Sequence, residues 1–178
     1  NGTLVAVAPT RDLDSLAGAD YASTHMTPLK VLSPTQILTY SNDFMHEAGY
    51  PYTWDWALET AASKTPTLER LNDVFRWSSH DIQMDKEGAA YWQPTSGANE
   101  ATNYTFSQIN RTSGDVLDVF YVDECLDMNH LQVIEDELRA VVSCRLSNSI
   151  VSVDIENRRV QWIAGGLNGT LTLIDEYG

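Results

Sequence analysis

The sequence predicts an all-β chain, about three four-stranded antiparallel blades of a β-propeller. Three observations carry that expectation. A histidine recurs in like surroundings, in Ser23-Thr24-His25-Met26, Ser78-Ser79-His80-Asp81 and Met128-Asn129-His130-Leu131, at spacings of 55 and 50 residues. Short apolar runs follow each histidine and are parted by polar turns. Ten Gly and six Pro, with abundant Thr, Ser, Asn and Asp, punctuate the 178 residues and suit strands and turns better than long helices. Repeats of about 50 residues, each a four-stranded meander, are what propeller blades are made of, and such rings close with roughly four to eight of them. An open stack of three would expose two wide sheet edges, so more chain, or another chain, is expected to complete the ring. An irregular β-sandwich is the alternative architecture.

The clearest blade spans residues 123–166. His130-Leu131-Gln132-Val133-Ile134 forms a strand, Glu135-Asp136-Glu137 turns, and Arg139 to Arg145 returns. Ser149 to Ile155 makes the third strand, Glu156-Asn157-Arg158 turns again, and Arg159 to Ile163 makes the fourth. The blade at 78–122 repeats the plan, with strands at His80–Met84, Ala89–Trp92, Tyr104–Ile109 and Asp115–Phe120. Asp85-Lys86-Glu87-Gly88 and Asn110-Arg111-Thr112-Ser113-Gly114 supply its turns. The blade at 20–77 is looser. His25–Leu32 pairs with Gln36–Tyr40, Val74–Trp77 ends it, and Ala57–Ser63 suits a short helix equally well. Asn42 to Tyr52, with its Gly-Tyr-Pro-Tyr, reads as a long surface loop. Asn1–Val7 and Asn168–Ile174 resemble the first strands of neighbouring blades.

Composition narrows the function classes. A formal net charge of -14 repels nucleic acid and anionic membrane surfaces, so neither is expected as a partner. No run of about 18 apolar residues is present to span a bilayer. Four N-x-Ser/Thr sequons, at Asn1, Asn103, Asn110 and Asn168, favour a secreted, extracellular glycoprotein over a chain in which none is modified. Cys125 and Cys144 fit either compartment: a disulfide closing a loop of about twenty residues, worth roughly 3 kcal/mol, or two small buried thiols.

From Asp123 to Gly166 the residues resemble a known family. Asp127-Met128-Asn129-His130, Ser143-Cys144-Arg145, Ser149 to Asp154, and Val160-Gln161-Trp162-Ile163-Ala164-Gly165-Gly166 are similar to the blade pattern of the arylsulfotransferases. His80-Asp81-Ile82-Gln83 is similar to the His-Asp strand starts of other blades in that family, and Leu131-Gln132 departs from it. The resemblance implies a six-bladed ring with its site at the central channel. It implies transfer of a sulfuryl group from an aryl sulfate to a phenol, carried on a histidine, with neither cofactor nor metal. His130 and Arg145 match an active-site histidine and arginine, and His80 a strand-start histidine. The carrier histidine is expected in a blade beyond Gly178.

The residue types suit that chemistry on their own terms. Sulfuryl transfer spreads negative charge over three oxygens, which an arginine fork and imidazolium donors stabilise. Neutral imidazole also serves as nucleophile or general base near neutral pH. His25, His80 and His130 share one repeat position, where first strands would line a channel, whereas His46 lies in the expected loop. The competing reading makes these histidines ties between adjacent blades, and pairs Arg145 with Asp127 or Asp154. A metal on the three histidines lacks support, since no His-x-His spacing occurs. Trp77 and Trp162 suit packing between blades. Tyr50, Tyr52, Trp54 and Trp56 either stack a sugar or phenol or anchor a loop. Two functions therefore stand: a sulfotransferase with aryl sulfate and phenolic substrates, or a non-catalytic extracellular scaffold or adhesive module.

Overall fold

The computed structural model describes residues 25–43, 48–55, 67–72, 81–95 and 105–171. They form three separate four-stranded antiparallel sheets, the all-β arrangement expected. The chain divides into two compact units, Asn1–Arg76 and Trp77–Gly178.

The first unit holds a sheet in the order β1-β2-β3-β4: His25–Ser33, Gln36–Asp43, Ala48–Asp55 and Thr67–Arg70. Ser33 pairs with Gln36 across a turn of Pro34 and Thr35, and the Ser33 hydroxyl accepts the Thr35 N–H at 3.2 Å. Proline presets the turn dihedral, and the hydroxyl closes it. The segment read as a long loop is in large part a strand. β3 runs through Gly49-Tyr50-Pro51-Tyr52 and pairs with β2 from Gln36–Asp55 to Asp43–Ala48. Aromatic and β-branched residues suit a pleated surface, whereas proline argues against a central strand. Pro51 is tolerated because its carbonyl faces the β4 side at that strand's end, where Leu71 N–H donates to it at 2.9 Å. A strand residue's N–H and C=O face the same neighbour, so the missing donor falls at the sheet margin. The fourth strand is Thr67–Arg70, where none was assigned; Ala57–Ser63 and Val74–Trp77 lie outside the described residues. Leu38 and Tyr52 are buried here.

The second unit contains two sheets. One runs β5-β6-β7-β8, over Gln83–Met84, Ala90–Thr95, Thr105–Asn110 and Val116–Tyr121. The other runs β12-β11-β10-β9, where β9 is Met128–Ile134, β10 Arg139–Cys144, β11 Ser149–Asp154 and β12 Arg159–Gly165. Strand alternation decides which residues meet. β10 reads half-buried, buried from Arg139 to Cys144, so Ala140, Val142 and Cys144 point into one core. Opposite them stand Trp92, Phe106 and Phe120, with the two phenyl rings stacked at 4.8 Å and the indole tilted against both. Leu131, Val133, Val151, Val153 and Ile163 complete that core. A disulfide joins Cys125 and Cys144 at one end of it.

Turn chemistry sets the hairpins. Asp85 accepts the N–H groups of Ala89 and Ala90 at 2.9 and 3.0 Å, and Gly88 takes the left-handed conformation its turn requires. The Gly165-Gly166 pair has a steric cause. Both have positive φ, and a Cβ at either would stand 2.8 or 2.7 Å from the carbonyl oxygens of Asn148 and Ser147.

Candidate functional site

The two sheets of the second unit are tied along their first strands. Asp81, just before β5, is 1% exposed. Its Oδ1 accepts the Ile82 N–H at 2.9 Å, and its Oδ2 accepts the Leu131 N–H of β9 at 2.8 Å. The same Oδ2 lies 2.5 Å from Nδ1 of His130. Two residues on, Gln83 repeats the tie with an amide. Its Nε2 donates to the Val133 carbonyl, and its Oε1 accepts the Val133 N–H, both at 2.8 Å. The side chains of β5 thus supply to the free edge of β9 the bonds that another strand would supply. Each partner lies 50 residues on, one repeat length.

Further ties secure the outer parts. The Lys86 N–H donates to both carboxylate oxygens of Glu135, and its ammonium pairs with Asp136. Arg158 grips both oxygens of Asp118 at 2.6 Å, donates to the Val119 carbonyl and lies 4.6 Å over the Phe120 ring. The Arg158 hydrogen bond, helped by the Val119 N–H and opposed by partial burial, holds the Asp118 carboxyl below its ordinary value. The same pair raises the Arg158 guanidinium. In the hairpin that carries Arg158, the backbone and side-chain N–H groups of Asn157 lower Asp154.

His130 is the predicted residue that emerges with chemical potential. Its side chain is 53% exposed, while its Nδ1 is anchored on a carboxylate that solvent does not reach. Arg145 follows β10, opposite Asp127. Its N–H donates to the Asp127 carbonyl at 2.9 Å and its guanidinium pairs with the Asp127 carboxylate, the first of the two partners foreseen for it. It lines a shallow hollow of about 530 Å³ with Asn129, Ser143 and Ile150, and His130 is not part of that lining. His130 therefore stands on β9 and Arg145 just after β10 of the same sheet, and the hollow that Arg145 lines does not include His130.

The other predicted positions divide in two groups. His25 opens β1 in register with Asn42; its side chain, and all of His80 and His46, lie outside the described residues. So do Asn1, Asn103, Trp56 and Trp77. Tyr52 is buried within the first sheet, which removes it from an exposed stacking cluster. Trp162 pairs in register with Ser152, on the face of β12 opposite Ile163, the residue that joins the core. Asn110 ends β7, and its Oδ1 accepts the N–H groups of Thr112 and Ser113 at 2.9 Å. Asn168 is exposed beside the Gly165-Gly166 bend. Among the described residues, no group of three His, Cys, Asp or Glu is placed to hold a metal ion.

Asp81 and Gln83 are what residue-by-residue reading missed. Asp81 entered it only as half of a His-Asp strand start. The repeat length was the available signal, since it sets residue 81 beside 131 and 83 beside 133. No family model matches this chain, and no curated protein matches it.

Proposed function

We propose that the chain is part of a secreted, glycosylated β-propeller of the arylsulfotransferase type, in which His130 takes part in sulfuryl transfer from an aryl sulfate to a phenol. The observation that carries this reading is a half-exposed imidazole whose Nδ1 rests on the buried carboxylate of Asp81. In the acceptor half-reaction, the phenol oxygen bonds to the sulfur of the group held on the ring's carrier histidine. The S–N bond breaks, its electron pair returns to that histidine, and the phenolic proton passes to Nε2 of His130.

The propeller itself is supported by two neighbouring sheets that meet face to face across an apolar core and are tied at first strands offset by one repeat. The Cys125–Cys144 disulfide favours an oxidising compartment, and the exposed Asn168 sequon fits a secreted chain.

One observation favours the alternative, a non-catalytic extracellular scaffold. Arg145 is paired with Asp127 and does not meet His130 in a common hollow. Sulfuryl transfer from a chromogenic aryl sulfate to a phenol decides between them, measured on the intact secreted protein with and without His130→Ala. Turnover that the substitution abolishes supports the enzyme. A folded, glycosylated protein without turnover leaves the scaffold.

A further inference from the structure

Among the described residues, the Asp81 carboxylate accepts the N–H groups of Ile82 and Leu131 and lies 2.5 Å from Nδ1 of His130. A buried carboxylate can only accept hydrogen bonds while ionised, and it faces an imidazole nitrogen at 2.5 Å. That contact is favourable only when Nδ1 carries the proton. Which nitrogen of a histidine is protonated is set by the bond its other nitrogen makes.

We infer that Asp81 is the positioning residue of His130, holding its ring in the Nδ1–H tautomer and leaving Nε2 as the basic nitrogen on the exposed side. The same carboxylate fixes β5 to β9 through Leu131, so ring orientation and sheet docking share one anchor. The use of Nε2 in proton transfer rests on the function proposed above, whereas the tautomer does not.

Asparagine at position 81 keeps the size and loses the chemistry. It offers one acceptor oxygen where the carboxylate offers two, so its NH₂ group must face Ile82 N–H or the Leu131 and His130 donors. Gln83→Ala is the structural control. It removes both bonds to Val133 and leaves the Asp81–His130 contact in place.

The test is long-range proton–nitrogen NMR of the imidazoles in the intact chain, at a pH where histidine is neutral. Wild-type and Gln83→Ala chains are expected to show His130 with a proton-bearing Nδ1 and a bare Nε2. Asp81→Asn is expected to show a mixture of tautomers. A wild-type His130 with its proton on Nε2 overturns the inference without any variant, as does an Asp81→Asn spectrum that keeps the wild-type tautomer. If the chain turns over aryl sulfate, Asp81→Asn is expected to lower kcat on the order of 10²-fold or more, while Gln83→Ala changes it little. Equal losses in the two variants overturn the positioning role. The NMR result reads the tautomer whether or not turnover occurs, so the two readings fail separately.

Discussion

Replacing Gln83 by alanine isolates the tie between the two sheets of the second unit. The glutamine amide forms two bonds of 2.8 Å with the backbone of Val133, a residue only 5% exposed, at the free edge of β9. A typical hydrogen bond contributes about 0.5–1.5 kcal/mol net, and a buried group left unpaired costs about 1–3 kcal/mol. Gln83 is itself half-buried, so water can follow into the space its side chain leaves, which sets the loss toward the low end of that range. A fall of about 2 kcal/mol for the pair is expected, a large share of the roughly 5–15 kcal/mol that holds a domain folded. With a urea slope of about 1–3 kcal/mol per molar, the unfolding midpoint drops by about 1 M. The Val133 amide should exchange with solvent about 30-fold faster, by the tenfold per 1.4 kcal/mol conversion. Gln83→Glu should do no better than alanine, because a carboxylate retains the N–H partner but sets a second acceptor against the Val133 carbonyl. A loss below about 0.5 kcal/mol with unchanged Val133 exchange would refute the clamp as a stabilising contact.

Two further predictions concern the periphery. Asp118 and Asp154 are held below their ordinary carboxylate value, Asp118 chiefly by Arg158 and Asp154 chiefly by Asn157. Their contribution is present above the unfolded carboxylate value of about 3.8 and is lost as pH falls through the lower folded values. Urea unfolding between pH 6 and about 2 should show that decline. Arg158→Gln should flatten the part due to Asp118, only modestly because solvent screens the exposed guanidinium. Breaking the Cys125–Cys144 bond, which spans 19 residues of sequence, should cost about 3 kcal/mol. Cys125→Ser with Cys144→Ser, compared with wild type by thermal unfolding without reductant, measures it; identical melting temperatures would count against a formed bond.

What the sequence made legible follows from how each strand declares itself. β9, β10 and β12 largely alternate more and less buried positions, β11 is a short β-branched run buried along most of its length, and polar turns separate them, so their bounds fall close to those expected. β3 was illegible because Pro51 and Gly49 argue for a loop, and only the position of Leu71 at the margin of the sheet makes the proline acceptable. β4 has four residues, too few for a period to show. The site divided along the same line. His130 stood out as a histidine at a repeated position, yet what it touches depends on a residue in another sheet. Arg145 was read as the last residue of its strand and instead opens the turn after Cys144, and its pairing with Asp127 rested on which of two nearby carboxylates the backbone would bring close. The repeat itself shows the limit. Val133 stands on β9 one repeat length after Gln83 on β5. Gln83 is half-buried and reaches across to the other sheet, whereas Val133 is buried in the shared core. A repeat therefore predicts where a side chain sits, and the neighbouring sheet decides what that position does.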